Sequence, residues 1–183
     1  MVELVMVMVL IGILGAVAGS RFFGSQVFEA RAYADQSKAL IRYAQKLAIA
    51  QNRNVYVRST PDGFAVCLDA GAACATPGDR AQAPGGGNNG SAATRNFCVS
   101  GVYVANWACI GRPAAVVVAV TGTGQRAEMA AGGFFFFDAA GRPFNRADPA
   151  GGGTSTFARL TLDVRSGSQT STLNVEAETG YVF

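Results

Sequence analysis

The chain has 183 residues, half of them hydrophobic, which is enough to bury one core and still leave apolar sequence outside it. Fifteen Lys and Arg against 12 Asp and Glu give a net charge of +3, and the basic residues are scattered instead of forming the clustered stripe that nucleic-acid phosphates select. The composition therefore predicts one globular domain with an apolar extension and no nucleic-acid partner.

The first element in chain order is an apolar run from Val2 to Gly19, in which Glu3 is the only charge before Arg21. A run of about 18 apolar residues is near the lower limit for a helix that crosses a bilayer. We therefore predict a transmembrane helix over residues 1–20.

Two ordinary explanations compete for this run. The first is a cleaved secretory signal, since Ala16-Val17-Ala18 supplies a cleavage pattern before Gly19, but its amino end lacks the expected Lys or Arg. The second is a plain membrane anchor, which leaves Glu3 unexplained because an ionisable group in a membrane segment is costly and by default marks a function.

Residues Val2 to Leu14 read V-E-L-V-M-V-M-V-L-I-G-I-L. This resembles the amino-terminal signature of type IV pilins, F-T-L-I/V-E-L followed by an apolar helix ending in G-I-L. The resemblance implies that Glu3 pairs with the amino terminus of a neighbouring subunit during filament assembly. A carboxylate in hydrocarbon is tolerated when it meets a cation such as that ammonium group. The alternative is a Glu3 that only snorkels to the interface.

The sequence departs from the signature at its start. The leader, its Gly and the Phe-Thr pair are absent, and Met1 stands where the family has Leu. We expect the true start to lie upstream, which would make a prepilin peptidase a partner.

Gly15 and Gly19 form a G-x-x-x-G pair that lets membrane helices pack closely, although small residues are also ordinary in such helices.

The next segment, Gln26 to Gln51, has the apolar periodicity of a helix with one buried face. We predict an amphipathic helix over residues 21–54 that leaves the membrane near Arg21 and packs on a soluble domain. The predicted core stripe consists of Tyr33, Leu40, Ile41, Ala44, Leu47 and Ala48.

Beyond this helix the pattern changes to short strand-like runs separated by turn signals, which predicts a β-rich domain over residues 55–183. The predicted strands are Val55 to Arg58, Phe64 to Leu68, Val99 to Val104, Ala115 to Val120, Phe134 to Phe137, Phe157 to Val164 and Thr170 to Val175. The turns are expected at residues 61–63, 111–113, 140–143 and 166–168. The predicted fold class is α+β, with a long N-terminal helix packed on a mainly antiparallel sheet.

Two carboxy-terminal segments carry a second, weaker resemblance. Phe137 to Pro143, F-D-A-A-G-R-P, and Glu178 to Tyr181, E-T-G-Y, resemble the minor pseudopilins related to type II secretion. With a single helix leading into a small Cys-bearing sheet domain, this favours minor subunits of the mannose-sensitive haemagglutinin pilus type.

The cysteines Cys67, Cys74, Cys98 and Cys109 all lie in the predicted soluble part, as expected of a domain in an oxidising compartment. Neither pair is C-x-x-C and the chain has no His, so the spacing does not suit zinc. Two disulfides are predicted, with three pairings open. Pairing Cys67 with Cys74 and Cys98 with Cys109 would close short local loops.

The sequence offers little for catalysis, since it has no His, no G-x-S-x-G elbow and no suggestive carboxylate pair. We predict a structural filament subunit with no cofactor and no metal. Its partners would be other pilin or pseudopilin subunits and the bacterial inner membrane, crossed once with the soluble domain in the periplasm. The assembled filament would be a surface pilus or a secretion pseudopilus. The alternative is a membrane-anchored binding or adhesion module outside any filament.

Overall fold

The structure is a computed structural model that describes residues 2–22, 25–121, 127–130 and 132–183, with the backbone alone described for 16–22, 25–27 and 127. Two helices come first, α1 at Val2–Phe22 and α2 at Ser25–Gln51. Within the described residues, short strands, one short α-helix and three single-turn 3-10 helices follow. The predicted α+β class, with a long helix on antiparallel sheets, is confirmed.

The remaining elements are β1 Val55–Thr60, β2 Gly63–Cys67, α3 Ala92–Phe97, β3 Val99–Ser100, β4 Val102–Tyr103, β5 Cys109–Gly111, β6 Val117–Thr121, β7 Phe134–Phe137, β8 Pro143–Asn145, β9 Leu160–Ser166 and β10 Gln169–Val175. Within the described residues they form a five-stranded sheet in the order β5-β2-β1-β7-β8, a three-stranded sheet in the order β10-β9-β6, and the small hairpin β3-β4. Every strand pair is antiparallel.

Helix α2 lies against both larger sheets because its buried residues recur every three or four positions. Most of them are small, which lets the helix backbone approach the strands closely. The fully buried positions are Ala30, Tyr33, Ala34, Ser37, Ile41, Ala44 and Ala48. Of the predicted stripe, Leu40 and Leu47 are half-buried beside this core.

The central sheet is covered on both faces, which explains the continuous run of four Phe in β7. Side chains alternate along a strand, so Phe135 and Phe137 enter the core beneath α2, while Phe136 packs in a second cluster on the opposite face. There it stacks on Phe144 with ring centroids 5.2 Å apart. This second cluster also contains Trp107 and the four cysteines.

Several local predictions need correction. The strand predicted over Val99 to Val104 is the hairpin β3-β4, because Gly101 at φ +75° reverses the chain. Gly111, predicted in a turn, ends strand β5. Strands β5 and β8 and helix α3 were not predicted, since segments of three to six residues show no readable periodicity.

The bounds of five other strands also differ from the prediction, by one or two residues in total for β1, β2 and β10 and by more for β6 and β9. Strand β6 is Val117–Thr121 where Ala115 to Val120 was predicted, and β9 is Leu160–Ser166 where Phe157 to Val164 was predicted. Apolar residues that continue past a strand account for such shifts, because periodicity does not mark where pairing stops. The turns predicted at 61–63, 140–143 and 166–168 each join paired strands.

Candidate assembly surface

Helix α1 exposes an apolar surface on every side over residues 2–15, the part for which side chains are described. Val2 is 82% exposed, and even the least exposed of the large apolar side chains, Val7, is 50% exposed. Burying one such side chain is worth roughly 1.5–3 kcal/mol. A helix that is apolar all round is stable when lipid or other protein surrounds it.

Within the described part of the chain, no helix combines the length and the apolarity that crossing a membrane requires. The span predicted over residues 1–20 includes residue 1, which lies outside the described residues, and residues 16–20, for which only the backbone is described. The span therefore stays a prediction.

Glu3 lies in the first turn of α1 and is exposed. It forms no ion pair with any described residue. A carboxylate at this end of a helix interacts favourably with the helix dipole, so its place on α1 is electrostatically favourable. Its charge is free to meet a cation from another molecule.

The two glycines of the predicted packing pair are not equally described. A Cβ atom added at Gly15 would meet nothing within 4 Å, so this position is open to a neighbouring helix. Gly19 belongs to the stretch of α1 for which only the backbone is described. Close helix packing at this pair stays a prediction.

The carboxy terminus is tied to the second half of α2. The Arg42 guanidinium donates to the Val182 carbonyl oxygen from Nε at 2.9 Å and from Nη2 at 2.7 Å. One turn further on, Gln45 Nε2 donates to the carbonyl oxygens of Gly141 and Thr179, both at 2.8 Å. These bonds hold α2 against the ends of two separate loops.

The same contacts bring together the two carboxy-terminal segments singled out in the sequence. Gly141 of F-D-A-A-G-R-P has φ +80°, and Gly180 of E-T-G-Y has φ +63°. A Cβ atom on Gly180 would lie 2.7 Å from the Gly141 oxygen and 2.8 Å from Gln45 Nε2. Both glycines are therefore required by backbone conformation and close approach. We call this three-way contact of Gln45, Gly141 and Gly180 the carboxy-terminal junction.

The cysteines form two disulfides, Cys67 with Cys74 and Cys98 with Cys109, at Cα–Cα distances of 5.4 and 5.9 Å. Asp69 organises the first loop by accepting from the backbone N–H groups of Ala73 and Cys74, both at 3.0 Å. Although Cys67, Asp69 and Cys74 lie close together, both sulfurs are bonded to each other and offer no thiolate to a metal.

The two disulfide loops are also linked to each other. Arg80 Nη2 donates to Ser100 Oγ at 2.5 Å, and Ser100 Oγ donates to the Ala75 carbonyl oxygen at 3.2 Å. Behind them the buried Trp107 donates from Nε1 to the Val66 carbonyl oxygen at 3.0 Å. The disulfides thus hold the segment from Cys67 to Cys109 against the second face of the central sheet.

No protein-family model matches the sequence, and no curated protein matches it. The chain is structurally similar, over most of its length, to the type IV minor pilin FimU of Pseudomonas aeruginosa strain PAO1 in two crystal forms. In the first form the TM-score is 0.45 at 11% identity, covering 84% of this chain and 90% of that chain. In the second it is 0.46 at 12% identity, covering 88% and 90%.

Proposed function

We propose that this chain is a structural subunit, of the minor pilin or pseudopilin kind, in a type IV pilus or type II secretion filament. The observation that carries the proposal is helix α1, whose apolar side chains are exposed all round over residues 2–15. Packing among the helices of neighbouring subunits would cover this surface. The resemblance of Val2 to Leu14 to the pilin signature supports the same use.

Glu3 is the residue to which we assign a specific role in assembly. Its exposed carboxylate pairs with the amino terminus of the neighbouring subunit, which offsets the cost of placing the charge among apolar side chains. The pairing sets the axial register of one helix against the next, because the ammonium group and the carboxylate each occupy one position.

The proposal includes a location and a set of partners. We propose a single-pass inner-membrane protein with its β-rich domain in the periplasm, which reaches the cell surface when a pilus is assembled. The two disulfides are consistent with that oxidising compartment. Other filament subunits are the proposed protein partners, joined by a prepilin peptidase if the true start lies upstream, and the role is structural instead of catalytic.

The test is to replace Glu3 and measure incorporation into sheared, purified filaments. Glu3→Ala and Glu3→Gln should leave the β-rich domain folded, with both disulfides intact, yet lower the fraction of the chain in filaments. Asp35→Asn is the matched control, because Asp35 is also an exposed carboxylate without an ion pair in the described part, but lies on α2.

Two results would count against the proposal in different ways. Normal incorporation of Glu3→Ala would remove the role of Glu3 while leaving the filament subunit in place. A wild-type chain that stays in the membrane and never enters filaments would instead favour the anchored binding module.

A further inference from the structure

The outer edges of the two larger sheets differ in how they are covered. The outer edge of β10 pairs with the carboxy terminus, where Asn174 and Phe183 exchange backbone hydrogen bonds of 2.9 and 3.1 Å. On β8, the Ser155 hydroxyl donates to the Pro143 carbonyl oxygen at 2.6 Å. On β5, the Gly111 N–H donates to Thr94 Oγ1 of helix α3 at 3.1 Å. Each of these three edges has at least one such contact within the chain, although that of β10 lies only at its end, at Asn174.

The outer edge of β6 has no such cover in the described part of the chain. The strand pairs on one side with β9, in a register that runs from Val117 opposite Arg165 to Thr121 opposite Thr161. Alternate N–H and C=O groups of a strand point away from its partner, and none of those on β6 bonds to another described residue. This edge is a row of open backbone donors and acceptors.

The sequence of β6 does nothing to protect that edge. Its residues are V-V-A-V-T, which have high β-propensity and include no charge, proline or glycine. Proteins ordinarily protect a free edge with Lys, Pro, a bulge or a covering loop. Val117 is instead 60% exposed, so an apolar side chain stands at the open edge.

We propose that this edge receives an extended strand from a neighbouring filament subunit, which joins the three-stranded sheet beyond β6. Only an extended backbone matches alternating donors and acceptors at strand spacing, so neither a helix nor a lipid surface satisfies it. This inference rests on the proposed function for the identity of the partner.

The neighbouring side chains define the chemistry of the incoming strand. Val118 and Val120 are half-buried and lie opposite the buried Val164 and Leu162 of β9. The incoming strand needs apolar side chains at alternate positions to complete this inner row. On the other face the incoming strand meets Ala119, which is small and uncharged. Uncharged side chains therefore suit that face of the incoming strand.

The test combines hydrogen exchange with a charge placed at the edge. Backbone amides of β6 are compared between the full-length chain in detergent and the same chain in purified filaments. In parallel, Ala119→Lys is compared with Thr172→Lys for incorporation. Ala119 and Thr172 both lie opposite Asp163 in one cross-strand row, so the two lysines share that neighbour and differ in the edge strand that carries them, β6 or β10.

We expect slower exchange of the β6 amides in filaments and a several-fold loss of incorporation for Ala119→Lys alone. If the chain enters filaments while its β6 amides exchange as in detergent, the inference is overturned and the filament role stands. If these amides are already protected in detergent by a dimer, the occupant is a second copy of this chain and the neighbouring subunit is excluded. A chain absent from filaments would refute the proposed function itself.

Discussion

Asp148 shows how a single carboxylate fixes the loop between β8 and β9. Its oxygens accept from the Thr156 hydroxyl at 2.6 Å, the Thr156 N–H at 3.0 Å and the Asn145 N–H at 2.8 Å. Partial burial raises the pKa of Asp148, but the hydrogen bonds from Thr156 and Asn145 together lower it by more than burial raises it. The pKa of Asp148 therefore lies below the ordinary 3.8. The ionised form is therefore favoured by folding.

Replacing Asp148 should give a pH-dependent loss of stability. A lowered pKa in the folded state adds stability above the unfolded pKa, and this stability is lost as the pH falls through the folded value. We expect Asp148→Asn to cost about 1 kcal/mol at pH 7, given partial solvent screening. The difference should begin to shrink as the pH falls toward 3.8 and should disappear only below the lowered pKa of the folded state. Urea unfolding across that pH range measures it, and a cost independent of pH would contradict this account.

Tyr33 is a buried residue whose ring and hydroxyl contribute differently. Its ring packs 6.4 Å from that of Phe64, and the residue is only 2% exposed. Its hydroxyl has no hydrogen-bond partner in the described part of the chain. Burial raises the pKa of Tyr33 well above its ordinary value. The hydroxyl thus stays protonated at physiological pH and adds little to stability.

Two substitutions separate the ring from the hydroxyl. Tyr33→Phe should be neutral or stabilising, because it removes an unpaired polar atom from the core and keeps the ring. Tyr33→Ala should cost about 3–5 kcal/mol, as aromatic truncations in cores do. The two unfolding free energies give the comparison. A Tyr33→Phe variant that loses as much as Tyr33→Ala would mean that the hydroxyl has a partner that this account misses.

Among the elements, the carboxy-terminal junction makes the most specific prediction about packing. Gly180→Ala introduces both an unfavourable positive φ and a Cβ atom that overlaps Gly141 and Gln45. Gly167→Ala is the matched control, because Gly167 has φ +56° but nothing within 4 Å of an added Cβ. The control should cost about 1–2 kcal/mol from conformation alone, and Gly180→Ala about 1–3 kcal/mol more from overpacking. Equal losses of thermal stability would rule out the close approach.

The elements also show what sequence could and could not predict. Long periodic segments were predictable, because the stripe of α2 and the Phe run of β7 repeat over enough residues to signal one or two buried faces. Strand β5 was not, since three residues between loops show no period. The carboxy-terminal junction was not predictable either. The sequence shows F-D-A-A-G-R-P and E-T-G-Y as motifs, but only the fold brings both of them to Gln45. Three-dimensional proximity between loops leaves no periodic trace in a single sequence.

At the scale of the whole molecule, the described side chains of α1, those of residues 2–15, take no part in the described core. Among the described side chains, the buried residues of α2 begin at Ala30, and residues 2–15 of α1 are exposed throughout. A truncated chain that begins at Ser25 should therefore fold in water with both disulfides and unfold cooperatively. Circular dichroism and thermal denaturation of the truncated chain check this. Failure to fold would show that α1 belongs to the structural core and is not an assembly element.

The molecule contains two parts with different environments. The β-rich part is stabilised by the core under α2, by the two disulfides between Cys67 and Cys109 and by the carboxy-terminal junction. The described side chains of helix α1 have no comparable set of internal contacts. Lipid or another protein molecule is therefore needed to cover its apolar surface. Under the proposed function, packing in a filament would cover this surface in the same step that pairs Glu3 with a neighbouring subunit.

The central claim is that this chain is assembled as a filament subunit, and amino-terminal mass spectrometry of protein recovered from purified filaments tests it most directly. The account predicts that the chain is present there with an amino terminus produced by the prepilin peptidase, and that no chain with this terminus is found when the peptidase is removed. A mature chain that begins at Gly19 and is found free in the periplasm would contradict it.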